Sequence, residues 1–268
     1  MSKHHVRVYY YPQCPWIVPT INSIVEAVGR LGYECSIYNL LSEKLDVRAL
    51  FKVYVDDRVV PIGIGMTDVG EVTNCLLGCC GGSHEQESSE NTFSYSSKSE
   101  VVGKIRIDSI TIDDMDDEIE LCVGEDFLYG AIPQNFLKEA REMKRGWLRH
   151  IISEFEACGY IAYSEKEPVG FIEFIPGDFA EDLGIKTYHS PKQTMALLCL
   201  SVKKAYWGKK IGSKLLSKLK KDLSTTNYRY IEVTAYKSGV WHPAAFYIKN
   251  NFKIVKKFGN NLQMAYQV

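Results

Sequence analysis

The 268-residue chain predicts an α/β protein of the α+β kind, a mixed and mostly antiparallel sheet with flanking helices, preceded by a small β-α-β-β unit. Three observations predict it. Strand-like and helix-like runs alternate from the start of the chain to its end. Residues 83–100 hold seven serines and four glutamates, too little apolar surface to offset the entropy of ordering, and read as a linker. Thr194 to Val202 is almost continuously apolar, the pattern of a central strand covered on both faces. The division that follows is a first domain at 1–82, a polar linker at 83–100 and a second domain at 101–268.

The first domain opens with Val6 to Tyr11, β-branched and aromatic, hence a strand. Pro12 and Pro15 mark a loop and a helix start, and Ile17, Ile21, Ile24, Val25 and Val28 recur at helical spacing until Gly32 ends the helix. Tyr33 to Tyr38 is a second strand, and Phe51 to Val55, Asp56-Asp57, Arg58 to Ile62 reads as a hairpin. In the second domain Ile105 to Ile112 alternates as a strand, and Phe136, Ala140, Met143, Trp147, Ile151, Ile152 and Phe155 mark a helix. Tyr160 to Tyr163 and Val169 to Ile175 form an antiparallel pair across a Ser-Glu-Lys-Glu-Pro turn. After the central strand come a helix from Lys210 to Leu223, a strand from Arg229 to Tyr236, a short helix from His242 to Asn250, and strands at Phe252 to Phe258 and Leu262 to Val268.

Charge narrows the function classes. With 32 basic and 33 acidic residues the net charge is -1, which favours neither nucleic acid nor a membrane surface as partner. No apolar run reaches the roughly 20 residues of a membrane span, and the N-terminus carries no signal-peptide core, so a cytoplasmic location is expected. Eight cysteines, several inside apolar runs such as Leu121-Cys122-Val123, suit buried thiols in a reducing compartment.

The most informative stretch runs from Leu198 to Leu216. A buried strand leads through Trp207-Gly208-Lys209-Lys210-Ile211-Gly212 into a helix whose apolar face is Ile211, Leu215, Leu216, Leu219 and Leu223. A helix start offers unpaired N–H groups and a positive dipole end, which suits phosphate, and eight lysines between 203 and 221 add to that potential. Two glycines alone fit a plain surface turn equally well. The stretch resembles motif A of the GNAT acetyltransferase superfamily, in which a strand ending in valine, here Val202, precedes a loop of the form Gln/Arg-x-x-Gly-x-Gly/Ala and a Leu-Leu helix. Trp207 stands where Gln or Arg is usual and Lys210 where the middle glycine is usual. Downstream, Phe246-Tyr247-Ile248-Lys249-Asn250-Asn251-Phe252 resembles motif B, Phe-Tyr-x-Lys-x-Gly-Phe, with Asn251 replacing the glycine at a left-handed cap.

The resemblance covers roughly 103–268 and implies an N-acetyltransferase that moves an acetyl group from acetyl-CoA to an amine of a small molecule or peptide by direct attack. It places the pantetheine arm on the backbone of Leu200 to Val202, with the next strand splayed away. The pyrophosphate falls on the loop of Trp207, Gly208, Lys209, Lys210, Ile211, Gly212 and Ser213. Tyr247 becomes the general acid for the leaving thiolate; the plain alternative is a helix aromatic packed on the sheet. For the base the residues leave several candidates: Glu173, on a strand face shared with Phe171 and Ile175, Glu232 on the strand after the motif A helix, and His242. The acidic run Asp113 to Glu118 either draws a cationic acceptor or is a solvated helix start.

In the first domain, Tyr11-Pro12-Gln13-Cys14-Pro15-Trp16-Ile17 is similar to the active-site turn of thioredoxin-like domains, though Ile17 stands where a second cysteine is usual and no proline directly precedes Phe51. A docking or lid module with one leftover cysteine is the simpler reading. Cys75, Cys79, Cys80 and His84 could wrap a soft metal, but match none of the common zinc spacings. Two rivals to the enzyme therefore stand: an acyl-CoA sensor without turnover, motivated by Trp207 and Lys210, and a thiol- or metal-handling protein. Homodimerisation is left open.

Overall fold

The computed structural model describes residues 4–43, 50–78, 104–125, 131–155, 157–237, 242–258 and 261–268. The 83–100 stretch, with Cys79, Cys80 and His84, lies outside the described residues. Contacts divide the chain into two compact units, Met1–Gln86 with Ala131–Leu148 and Leu183–Ile185, and Glu87–Gly130 with Arg149–Asp182 and Lys186–Val268.

The first unit is built on a four-stranded sheet in the order β2-β1-β3-β4, from β1 (His5–Tyr10), β2 (Glu34–Asn39), β3 (Phe51–Val55) and β4 (Arg58–Val60). β1 and β2 run parallel across the helix α1 (Ile17–Leu31), and the other pairs are antiparallel. Val6, Val8, Val53 and Val55 alternate toward a core that Ile24, Ala27 and Val28 of α1 complete. Gly32 closes α1 in the left-handed region at φ 67°, the position its sequence predicts. A second helix, α2 (Val69–Leu77), was not expected. It starts at Asp68, whose carboxylate accepts from the Glu71 N–H at 2.8 Å, and buries Val72, Cys75 and Leu76.

The second unit holds a seven-stranded sheet in the order β10-β11-β9-β8-β7-β6-β5. In chain order its strands are β5 (Ile105–Ser109), β6 (Gly159–Ser164), β7 (Glu167–Pro176), β8 (Thr194–Val202), β9 (Tyr230–Tyr236), β10 (Lys253–Phe258) and β11 (Asn261–Gln267). All neighbours are antiparallel except β8 and β9. The helices are α3 (Met115–Val123), α4 (Gln134–Glu154), whose first fifteen residues count with the first unit, α5 (Gly177–Asp182), α6 (Ile211–Leu223) and α7 (Ala244–Lys249). The core lies between α6 and one sheet face: Ile211, Leu215, Leu216 and Leu219 against Ile172, Phe174, Ile231 and Val233. The β5 strand ends at Ser109, three residues short of the predicted Ile112, and the acidic run after it is the start of α3. Met115, Ile119 and Cys122 bury one face of that helix.

Candidate active site

β8 is the middle strand of seven, as its unbroken apolar run predicts. It pairs with β9 for three rungs only: Thr194 with Tyr230, Met195 with Ile231 and Ala196 with Glu232. Beyond Ala196 the two strands part, while β7 stays paired with β8 out to Gly170 and Val202. The register skips Leu198, so a bulge falls where the strands separate: Phe174 faces Leu197 and Glu173 faces Cys199. Among the described residues no strand pairs with the other backbone edge of Leu197 to Val202, which stands as an open edge.

The loop at the end of β8 is held in place by side chains. The Trp207 indole N–H donates to the Val202 carbonyl at 2.7 Å, and Lys203 and the Tyr206 hydroxyl reach Glu167 at 2.7 and 3.0 Å. The Lys203 hydrogen bond keeps the Glu167 carboxyl below its ordinary range. Gly208 at φ 77° and Lys210 at φ 62° turn the chain into α6, so Lys210 occupies a left-handed position that glycine suits better. No side chain caps α6, its first turn carries no acidic residue, and the N–H groups of Ile211, Gly212 and Ser213 have no intrahelical acceptor. Gly212 is closely packed: a Cβ there would fall 3.1 Å from the Phe246 ring and 3.2 Å from Leu200. Leu200, Val202 and the loop from Trp207 to Ser213 therefore lie along one path, from the open edge of β8 to the start of α6.

Tyr247 is 1% exposed, set edge-on against Phe246 and Phe252. Its hydroxyl lies 2.8 Å from His242 Nδ1. Burial, with Cys199 adding in the same direction, pushes the phenol well above its usual value, so it holds its proton. Burial also drives the His242 imidazole down to about 3, so that ring is neutral near pH 7. His242 adopts φ 46°, and its carbonyl accepts from the Tyr236 N–H at 3.0 Å. Asn251 takes the left-handed cap after α7 at φ 66°, as its substitution for glycine predicts.

The three base candidates differ in surroundings. Glu173 is wholly buried, with Phe171 and Ile175 buried on the same strand face. Glu232 is 4% exposed, and each carboxylate oxygen accepts two hydrogen bonds, Oε1 from the backbone N–H and Nδ1 of His189, Oε2 from the Tyr188 N–H and the Gln263 amide. That network fastens the Tyr188-His189 segment to the sheet. His189 itself was not singled out in the sequence; its partner lies 43 residues away, and nothing local marks it.

Cys14 is buried at the start of α1, and Cys75 on α2 is disulfide-bonded, which leaves it no thiolate for a metal. Among the described residues no group of three or more His, Cys, Asp or Glu is gathered in one place. No helix among them is long and apolar enough to cross a membrane.

Residues 125–247 match the acetyltransferase (GNAT) family, a little under half of the chain. Curated proteins gave no match. Among solved structures, the chain is similar to the PaiA N-acetyltransferase of Thermoplasma acidophilum in complex with coenzyme A, at 20% identity over 62% of this chain and 99% of that one, TM-score 0.45. It is similar to an acetyltransferase of Thermus thermophilus, at 15% identity over 62% and 99%, TM-score 0.44. It is also similar to an N-acetyltransferase of Staphylococcus aureus, at 17% identity over 62% and 97%, TM-score 0.43. The parted central strands and the uncapped helix start beyond them all fall within the segment, residues 125–247, that matches the acetyltransferase (GNAT) family.

Proposed function

We propose that the protein is an N-acetyltransferase whose acceptor is an amine of a small molecule or peptide, attacked directly by the amine nitrogen. The observation that carries this reading is the parting of β8 and β9 after Ala196, immediately before an uncapped, lysine-flanked helix start. The donor set fits the proposed cosubstrate. The N–H groups of Ile211, Gly212 and Ser213, with Lys209 and Lys210 beside them, suit a pyrophosphate. The open edge of β8 at Leu200 to Val202 suits the amides of a pantetheine arm. When bound, acetyl-CoA supplies an activated thioester.

The residues of the chain supply the rest. β8 and the loop orient the donor against the acceptor. Tyr247 holds a proton at its hydroxyl and offers it to the sulfur as negative charge develops there. Its high pKa favours transfer concerted with bond breaking over a free tyrosinate. Glu173, beside the bulge, is proposed to accept the acceptor's proton through water.

The same proposal takes 1–82 as a thioredoxin-like domain joined by 83–100 to a transferase domain at 101–268. The sheet order β2-β1-β3-β4, with one parallel pair across α1, supports the first part. Buried Cys14 favours docking over redox catalysis there.

Calorimetric titration of acetyl-CoA and of free CoA into the full chain tests the reading. Micromolar binding of both is expected. Absence of binding at millimolar ligand overturns it and leaves Trp207 and Lys210 as the residues that close the site.

A further inference from the structure

Acetyl transfer to an amine starts from an ammonium ion, and something must take its proton before the nitrogen can attack. Glu173 is wholly buried. Glu232 has both oxygens filled by four donors, so it is fitted to orient a partner rather than to abstract a proton. The partner it orients is His189. The imidazole donates from Nδ1 to Glu232 Oε1 at 2.8 Å, which fixes the tautomer and leaves Nε2 as the basic nitrogen. The ring also lies flat on Tyr230, with centroids 3.6 Å apart and planes 6° off parallel, so it is held on two sides. The side chain keeps 24% of its surface exposed. Its anchor stands where the strands divide: Glu232 forms the last rung with Ala196 before β8 and β9 part. His189 borders a cleft of about 240 Å³ whose other walls include Tyr230, Asn251, Lys253, Tyr266 and Gln267.

We propose that His189, oriented by Glu232, is the general base that deprotonates the acceptor amine, and that this cleft is the acceptor's way in. The inference rests on the acetyl-transfer reading and puts His189 in the place given above to Glu173. Nε2 takes a proton from the acceptor ammonium. The freed lone pair forms a C–N bond to the acetyl carbon. The C–S bond breaks with its electron pair on sulfur, which is protonated from Tyr247, and the second proton, shed by the nitrogen as it becomes the amide, passes through water to restore the Tyr247 hydroxyl. The imidazolium, paired with the Glu232 carboxylate, returns its proton to water. The charged and titratable groups around the ring are Glu232 and Tyr230 on β9, Lys253 on β10, Tyr266 on β11, and Tyr188 on its own segment.

The test uses the full chain, acetyl-CoA and two probe amines. n-Butylamine is an ammonium ion at neutral pH and needs a base; hydroxylamine is already unprotonated and does not. His189→Gln is expected to slow thiol release with n-butylamine by about 100-fold, the usual size of a lost general base, and to leave hydroxylamine nearly unaffected. Glu173→Gln is the parallel arm. Selective loss of n-butylamine turnover in that variant rather than in His189→Gln overturns the proposal, as does an equal loss with both amines in His189→Gln. A wild-type chain that releases no thiol with either amine overturns the transfer reading, and this inference with it. A readout independent of turnover is the ¹⁵N spectrum of histidine-labelled protein. His189 should sit as the Nδ1–H tautomer in the wild type and lose that preference in Glu232→Gln; an unchanged tautomer overturns the orienting role.

Discussion

Among the described residues there are two parallel strand pairs, each joined through a helix, and one of the two is closed. β1 and β2 pair across α1 over six rungs, from His5 and Glu34 to Tyr10 and Asn39. β8 and β9 pair across α6 over three rungs and then part. Neither helix has a side-chain cap at its start. Around α1 the residues from Pro12 to Thr20 are all buried, so the helix start is packed into protein. At α6, Gly208 and Lys210 lie at the surface, and no side chain caps the helix start beyond them. One strand-helix-strand unit thus serves two ends. Closed, its backbone is satisfied within the sheet and the unit is structural. Parted, it leaves strand-edge and helix-start donors for a ligand to satisfy.

The largest effect that separates the two comes from hollowing each helix in turn. Ile24 on α1 and Leu215 on α6 are both wholly buried. Replacing either by alanine should cost about 2–5 kcal/mol, read from urea unfolding. Only Leu215→Ala should weaken acetyl-CoA binding, since it loosens the helix whose first turn forms the site. Equal binding in both variants would break the comparison.

Next in size is a pH dependence carried by His242, just beyond the open unit. His242 is neutral in the fold, with its pKa near 3 against an ordinary 6.5. Between those values the unfolded chain binds a proton that the folded chain does not. Stability is therefore complete above about pH 6.5 and falls as the pH drops toward 3, by up to about 1.4 kcal/mol per unit. His242→Gln should flatten that slope in denaturant midpoints measured from pH 7 to 4. A slope that survives the substitution assigns it to other groups.

Tyr247→Phe follows, with turnover about 100-fold lower, equivalent to about 2.7 kcal/mol, and acetyl-CoA affinity unchanged. Full activity in this variant would return Tyr247 to the role of a packed aromatic and leave His242 as its structural partner.

Much of this was legible along the chain because it is local. The strand ending at Val202, the turn through Gly208, the Leu215-Leu216 helix and the Asn251 cap each depend on residues a few positions apart. The acidic run Asp113 to Glu118 offered a helix start, and α3 begins there, though the run hid the apolar spacing of Met115, Ile119 and Cys122. Two other helices escaped for different reasons. α5 is six residues long, too short to show a period. α2 announced itself through Asp68 and Glu71, a cap with its acidic residue three positions on, and that signal was available. What no local pattern could show is where β8 and β9 cease to pair, or that Glu232 is saturated by residues 43, 44 and 31 positions away. Ladder length and long-range hydrogen bonds are decided by packing, and the site depends on both.

The smallest effect bears on the one residue that makes the open unit costly. Lys210 sits at φ 62° at the threshold of α6, where a side chain with a Cβ is strained by about 1–2 kcal/mol. Lys210→Gly removes that strain but adds freedom to the unfolded chain, so a net gain of about 0.5–1 kcal/mol is expected. The effect on ligand separates two roles for the lysine. If its ammonium contacts the pyrophosphate, affinity for CoA falls and becomes less sensitive to salt, because one phosphate-directed charge is gone. If its side chain crowds the loop, affinity rises as the backbone gains closer approach. Either result leaves the parted strands as the origin of the site. A variant that is less stable and binds CoA unchanged would show that the left-handed turn at 210 is held by something other than the entry into α6, and the contrast with α1 would lose its second half.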